Sequence, residues 1–320
     1  MASEVKIYRS LEALDSRFGP CALTIGNFDG VHAGHRRIFR RVAELARQGG
    51  WKASAMTFSP HPARVVAPER APRLLTTPEQ RCALMAAEGI EQVLILPFRE
   101  QIARLTPEEF VREILVRKLG VKVVVVGGNF HFGHRQAGDT AALQRLGQRF
   151  GFRTEVVPPV SVRGRTISSS EVRRLIEGGA VALAGRLLER WYAIEGEVVP
   201  GRGIGTSKTA PTLNLKTAAE VLPATGVYVT RTRDLADGRE WPSVTNVGYR
   251  PTFAGTDLSI ESFLLAPLEG LTPRLIRVEY LRRLREERKF PDAERLKEQI
   301  LRDAARARAY FRRLERWAAS

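Results

Sequence analysis

The chain has 320 residues, which suits two domains of about 100–200 residues each better than one core. A composition of 43% hydrophobic, 27% charged and 8% aromatic residues excludes a mainly disordered or fibrous protein. No apolar run reaches the ~18 residues that span a bilayer, and the start from Met1 to Lys6 lacks the basic and apolar regions of a signal peptide. The expected location is therefore the cytoplasm, with no membrane partner.

The first half alternates strand and helix. Cys21–Ile25 reads as a buried strand, followed by the turn Gly26-Asn27-Phe28-Asp29-Gly30 and a helix with Ile38, Val42 and Leu45 on one face. Lys52–Phe58 is a second strand. Thr77-Pro78-Glu79 and Thr106-Pro107-Glu108-Glu109 are helix starts, each with a threonine N-cap and proline at the first helical position. Val93–Leu96 and Val121–Val126 are continuously apolar, as strands buried on both faces are, so the sheet is expected to be parallel and covered by helices. A helix over Asp139–Phe150, a strand Arg153–Val157 and a helix from Ser170 complete a doubly wound α/β unit.

The grammar changes around Gly178-Gly179 and the segment Ala180–Arg190. Strands follow at Trp191–Val199, Val227–Arg233, Glu240–Asn246, Ser259–Leu265 and Leu275–Leu281, with a hairpin signal at Asp237-Gly238. No long helix interrupts them, which implies an antiparallel barrel or sandwich. A closing helix begins after Pro291, with Leu296, Ile300, Ala304, Ala307, Phe311 and Leu314 at helical spacing. The boundary is placed near residue 183, giving domains 1–183 and 184–320.

Scarce residues mark where chemistry is expected. The five histidines all fall between positions 32 and 134, and the chain has four asparagines, Asn27, Asn129, Asn214 and Asn246. The net charge of +16, with 43 of 51 basic residues arginine, favours anionic partners but does not choose among them. Two cysteines, Cys21 and Cys82, are too few for a disulfide framework or a zinc cage.

His32-Ala33-Gly34-His35 sits where a buried strand turns into a helix, the edge at which doubly wound sheets bind ligands. The helix N-terminus offers backbone N–H groups to a phosphate, two imidazoles can donate to phosphate oxygens, and Gly34 admits a nucleotide close to the backbone. A pair of helix-end histidines without a ligand and a histidine metal site are the competing readings. Three further segments fit the same edge. Phe58-Ser59-Pro60-His61-Pro62 makes a rigid loop suited to an aromatic ligand. Gly127-Gly128-Asn129-Phe130-His131-Phe132-Gly133 suits stacking and ribose contacts. Ile167-Ser168-Ser169-Ser170-Glu171-Val172-Arg173 puts hydroxyls at a helix start and an arginine one turn in.

In the second half, Pro211-Thr212-Leu213-Asn214 puts a hydroxyl and an amide two residues apart on an extended segment, where both point the same way. They are candidate oxygen ligands for Mg²⁺ and donors to a phosphate; a strand edge with a turn is the competing reading. Gly201–Thr209 is not a P-loop, because Ser207 precedes Lys208 and Pro211 forbids the helix that should follow; it reads as a glycine loop over phosphates. Glu261 is a charged residue in the apolar strand Leu258–Leu265, placed either toward a site or toward solvent.

Together these motifs resemble, in order and spacing, the bacterial bifunctional riboflavin kinase/FAD synthetase family. The first four segments are similar to its FMN adenylyltransferase half. Pro211–Asn214, Asn246-Val247-Gly248-Tyr249-Arg250-Pro251-Thr252-Phe253, the Glu261 strand and the tail from Leu284 to Phe290 are similar to its riboflavin kinase half. The resemblance covers about residues 20 to 311. It implies a nucleotidyltransferase-like, Rossmann-like N-terminal domain and a C-terminal antiparallel β-barrel with a closing helix. It also implies ATP-dependent phosphorylation of riboflavin to FMN, then adenylylation of FMN to FAD, with Mg²⁺ required. On this resemblance His32 and His35 stabilise phosphate charge, and Gly26, Asp29, Gly34, Ser168 and Arg173 bind ATP. Phe58, Pro60, His61, Pro62 and Asn129 meet the flavin, Thr212 and Asn214 bind Mg-ATP, and Glu261 is the general base. The alternatives are an adenylyltransferase with an impaired kinase half and a basic nucleic-acid-binding protein; against the latter, the basic residues are spread along the chain, so no nucleic-acid partner is expected.

Overall fold

The computed structural model describes residues 5–15, 18–162, 164–200, 211–252 and 255–318, so the glycine loop read over 201–209 and Phe253 lie outside the described residues. The chain divides into two compact units, one up to Ser169 and the other from Ser170.

The first unit is built on six strands: β1 (Lys6–Tyr8), β2 (Cys21–Ile25), β3 (Lys52–Ser59), β4 (Gln92–Pro97), β5 (Val121–Gly127) and β6 (Arg153–Val157). They form one sheet in the order β1-β4-β3-β2-β5-β6, and every pairing is parallel. The apolar runs are continuous because both faces are covered. Leu23, Met56, Leu94, Val124 and Val126 enter one core, while Ala22, Ala55, Val93, Val123 and Val125 enter the other. Sequence reading missed β1, three residues of which only Tyr8 is buried, because so short an edge strand carries no alternation to detect.

Helix α1 (Ala33–Gly49) follows β2 and buries Ile38, Phe39, Val42 and Leu45. Helix α2 (Pro78–Ala86) starts with the expected Thr77 cap as a full capping box with Gln80. Thr106 caps Pro107–Glu109 in the same way with Glu109, and the chain continues as a π-helical stretch over Phe110–Lys118. Helix α3 (Thr140–Phe150) is capped by Asp139, whose Oδ1 accepts from the Ala142 amide at 2.7 Å.

In the second unit, helices α4 (Ser169–Glu177) and α5 (Val181–Leu188) precede six strands: β7 (Tyr192–Val199), β8 (Thr212–Lys216), β9 (Gly226–Asp234), β10 (Glu240–Thr252), β11 (Gly255–Leu264) and β12 (Leu275–Arg285). All pairings are antiparallel and the sheet closes on itself in the order β8-β11-β10-β9-β12-β7. The sequence reading left barrel and sandwich open on the residues alone; closure leaves no edge strand. The sequence-based boundary lay near 183, whereas α4 groups with the barrel: the Ala224 amide donates to the Ile176 carbonyl at 3.3 Å, and Gly179 lies against Arg283 and the Tyr228 hydroxyl.

The barrel interior is not purely apolar. Thr232, Ser243, Thr230, Thr245 and Ser262 are all fully buried, and their hydroxyls form one continuous chain with links of 2.7–2.9 Å. Helix α6 (Ala293–Ala318) covers the outer face, packing Ala307 and Phe311 against Val227, Val229, Val244 and Leu281. Replacing Thr245 with valine breaks two links of the chain and leaves the Ser262 hydroxyl buried without its partner. The expected cost is about 1–3 kcal/mol, read as a lower urea midpoint for the barrel unit.

Candidate active sites

Because β3, β2 and β5 are adjacent and parallel, the segments leaving their C-terminal ends emerge side by side: the loop 60–62, the turn 26–32 and the loop 128–133. Three of the four segments singled out in the first half therefore share one sheet edge, where open α/β sheets bind ligands.

The turn is held from below. Asp29, only 3% exposed, accepts from the Leu75 amide at 3.0 Å and the Thr76 amide at 3.1 Å. The Thr76 hydroxyl donates to Asp29 Oδ1 at 3.2 Å and accepts from the Gly30 amide at 3.1 Å. The resemblance places this carboxylate at the ATP site; its bonds to the 75–76 backbone tie the turn to that segment. Phe28 and Val31 adopt left-handed backbone with φ of 50° and 42°. Such conformations cost on the order of 1–3 kcal/mol for non-glycine residues and persist where the surroundings over-determine them. Gly30 has φ of 77°, and a Cβ there would meet Leu75 Cδ1 at 2.6 Å.

His32 is the N-cap of α1. Its Nδ1 accepts from the His35 amide at 3.4 Å, which puts the neutral ring's proton on Nε2. The two imidazoles stack with centroids 3.6 Å apart and planes 19° apart, and Phe28 packs edge-on against His35 at 5.2 Å. Gly34 has a packing reason that sequence could not supply: a Cβ there would sit 3.1 Å from His32 Cε1 and displace the ring. Gly26 likewise makes room for the Phe28 ring, 3.0 Å from where its Cβ would be.

Three arginines on α1 pair with acidic side chains. Arg36 and Arg40 donate to Glu88, whose side chain is 5% exposed, at 2.6 Å each, and Arg41 pairs with Glu155 and Glu44.

Around this edge, Phe58 is half-buried against Phe98, with ring centroids 5.5 Å apart. Pro60 is exposed, and the His61 Nδ1 accepts from the Ala63 amide at 3.2 Å, which shapes the loop through Pro62. Asn129 is exposed, its carbonyl 3.0 Å from His131 Nδ1, and a Cβ on Gly127 would come within 3.3 Å of its Oδ1. In the fourth segment the Ser169 hydroxyl reaches the turn, donating to the Asp29 carbonyl at 2.8 Å. Ser168 is half-buried beside it, and Arg173 lies further along α4, past the point where the two units divide.

The second site is assembled by barrel register. Asn214 on β8 is paired with Glu261 on β11, and Glu261 is paired with Asn246 on β10. Residues directly opposite on neighbouring strands share a face, so an amide, a carboxylate and a second amide form one row on the outer surface of the barrel. Thr212 lies on the same face two residues before Asn214, opposite Phe263. Beside this row is a cavity of about 520 Å³, within the range of small-molecule sites, with Thr212, Asn246, Glu261, Phe263, Phe290 and Asp303 among its lining residues. Glu261 thus faces a cavity rather than open solvent.

The cavity's other wall comes from the end of β12 and from α6. Arg285 Nε donates to Asp303 Oδ2 at 2.8 Å, with Asp303 2% exposed, and Gln299 Nε2 donates to Asp303 Oδ1 at 2.9 Å. Arg288 donates to the Gln299 side chain and lies over the Phe290 ring. Gly248 leaves space for the Glu287 carboxylate, which a Cβ would hit at 2.1 Å. The Ser259 hydroxyl donates to Glu261 Oε1 at 2.9 Å. Asn246 was marked in the sequence by its scarcity but given no role, and Ser259 was not chosen, although strand alternation places it on the Glu261 face. Cys21 and Cys82 are buried free thiols, pushed up by desolvation to about 12 and about 11, and so inert at neutral pH. No cluster of three or more His, Cys, Asp or Glu suited to a metal ion occurs among the described residues.

Two family models match the chain: FAD synthetase over residues 15–171 and riboflavin kinase over residues 188–311. Among curated proteins it is 38% identical to the bifunctional riboflavin kinase/FMN adenylyltransferase of Pseudomonas fluorescens, covering 95% of this chain and 97% of that protein. It is 36% identical to the protein of the same description from Escherichia coli (strain K12), covering 91% and 93%. A solved structure described as a macrolide-efflux protein from Streptococcus pneumoniae aligns with a TM-score of 0.84 at 27% identity, covering 95% of this chain and 98% of that one. Among the described residues no helix is long and apolar enough to cross a membrane. With both halves matched in order and relatives aligned nearly end to end, the chain belongs to the bifunctional riboflavin kinase/FMN adenylyltransferase family.

Proposed function

We propose that the chain converts riboflavin to FMN and FMN to FAD, each at its own site, consuming ATP at both. What carries this reading is the match of each half to its own enzyme family within one continuous chain. In the first step the terminal ribityl hydroxyl of riboflavin attacks the γ-phosphorus of ATP and ADP leaves. Glu261 accepts the hydroxyl proton, and Ser259 orients its carboxylate by donating to Oε1. Thr212, Asn214 and Asn246 orient phosphate and hydroxyl oxygens along the same row, and the Phe263 and Phe290 walls of the cavity exclude water around the flavin.

In the second step an FMN phosphate oxygen attacks the α-phosphorus of ATP and pyrophosphate leaves. His32 and His35, stacked at the α1 N-terminus, donate to the phosphates as charge builds there. Gly26, Asp29 and Gly34 shape the turn that carries them, while Ser168 and Arg173 are assigned to the ATP phosphates. Phe58, Pro60, His61, Pro62 and Asn129 border the flavin. The oxygen donors Thr212 and Asn214 suit Mg²⁺, a hard cation that takes oxygen ligands and is held largely by substrate phosphates. Bound there, it would neutralise phosphate charge. The use of ATP at both sites supports a cytoplasmic location.

Purified protein incubated with riboflavin, ATP and Mg²⁺ should yield FMN and then FAD; neither product would overturn the reading, and FAD from FMN alone would leave only the adenylyltransferase. A chelator should stop both steps. Glu261→Gln should lower FMN formation by about 10²–10⁴-fold with FAD synthesis from FMN unchanged. Gly34→Ala should do the reverse, lowering FAD synthesis about tenfold by shifting the His32 ring while sparing phosphorylation. Separating the three flavins by chromatography reads all of these outcomes.

A further inference from the structure

Behind the turn that carries His32 lies a cation the chemistry above does not use. Arg81, on α2, is 2% exposed. Its Nη1 donates to the Thr57 hydroxyl at 2.9 Å, and that hydroxyl donates in turn to the Asn27 carbonyl at 3.1 Å. Thr57 is fully buried, so the guanidinium reaches the turn through a single relayed contact shielded from water. Burial pulls the Arg81 guanidinium below its ordinary value, and the charge of Asp29, itself 3% exposed, offsets part of this. Arg81 Nε is buried with no hydrogen-bond partner. Such an arrangement is an expensive way to fill space: a buried charge with an orphaned donor is less stable than an apolar side chain of similar volume.

The contacts show what the charge holds. Arg81, through Thr57, grips the carbonyl of Asn27, the residue before Phe28. The Leu75 and Thr76 amides grip Asp29, the residue after it. The first left-handed residue of the turn is therefore clamped on both sides, one turn ahead of the His32 cap. We propose that Arg81 is a positioning residue for adenylyl transfer, acting through Thr57 and Asn27 to hold the 26–32 turn in the geometry that places His32 and His35 against the reacting phosphates. This rests on the assignment of the first site to adenylyl transfer. That assignment is tested separately, because unmodified protein that fails to make FAD from FMN refutes it whatever the variants do.

Two variants of the full chain test the proposal, Arg81→Met and the near-isosteric Thr57→Val, with phosphorylation of riboflavin by the same molecules as the internal control. The expected result is a fall of about tenfold or more in kcat for FAD synthesis in Arg81→Met, and a smaller fall in the same direction in Thr57→Val. KM for FMN and the kinase rate should change by less than about twofold. The double variant should be no worse than Arg81→Met, since both cut one relay. The deficit should persist on cooling well below the unfolding midpoint, where a loss due only to destabilisation would be recovered. Arg81→Lys, which keeps the charge but not the fork, should recover part of kcat. FAD synthesis within about twofold of the parent in both variants, or a deficit that disappears on cooling, overturns the proposal. Should Arg81→Met not fold, Thr57→Val decides alone: a persistent fall in kcat supports the relay and an unchanged kcat refutes it.

Discussion

A β-ladder slipped by one residue turns every side chain on that strand to the opposite face, and both halves of this chain hang their chemistry on ladders. In the barrel, Asn214, Glu261 and Asn246 meet only because β8, β11 and β10 pair in one register. Shift β11 by one position and Ser262, now an interior link of the hydroxyl chain, would take the place of the carboxylate. Closure makes the register rigid, since each strand is held by two neighbours and the ring has no end at which to slip. In the parallel sheet the same constraint works along the strand direction. β3, β2 and β5 pair side by side, so the loops that leave them share an edge without any contact between those loops being needed.

Onto these frames the protein places polar groups where they are costly and then satisfies most of them. The Asp29 carboxylate takes two amides and a hydroxyl, and Glu88 gathers Arg36 and Arg40. Asp303 joins Arg285 to Gln299 and so ties the end of β12 to α6 beside the cavity. Removing either partner of such a pair strands a buried charge, which costs far more than the pair contributes. The turn of the first site shows the return on that arrangement: left-handed backbone at Phe28 and Val31 is held in place, and the stacked imidazoles follow directly from it.

Much of this was legible in the residues. Continuous apolar runs announced a doubly covered parallel sheet, threonine followed by proline announced two helix starts, and the clustering of rare histidines and asparagines pointed to both sites. Other features depend on long-range pairing and left no local signal. That Asn246 stands beside Glu261 is a matter of which strand neighbours which, and the Ser259 contact is visible only once the strand is known to face a cavity. The bonds of Asp29 to the 75–76 segment left no local signal, because those partners are 46 and 47 residues away. The ion pairs of Arg36, Arg40 and Arg41 are hidden for the same reason: their partners Glu88 and Glu155 lie far along the chain. The position of α4 was set by its packing against the barrel, which composition around Gly178 does not encode.

The hydroxyl chain inside the barrel bears on how this unit responds to temperature. Apolar groups raise the heat capacity when they are hydrated on unfolding, whereas polar groups lower it. A core that runs Thr232, Ser243, Thr230, Thr245, Ser262 contributes the second kind of surface where most barrels contribute the first. The stability curve of the barrel is therefore flatter than its size alone dictates, with directional bonds carrying a share of what solvent exclusion supplies elsewhere. Its folded state loses less of its margin as the temperature moves away from the optimum in either direction.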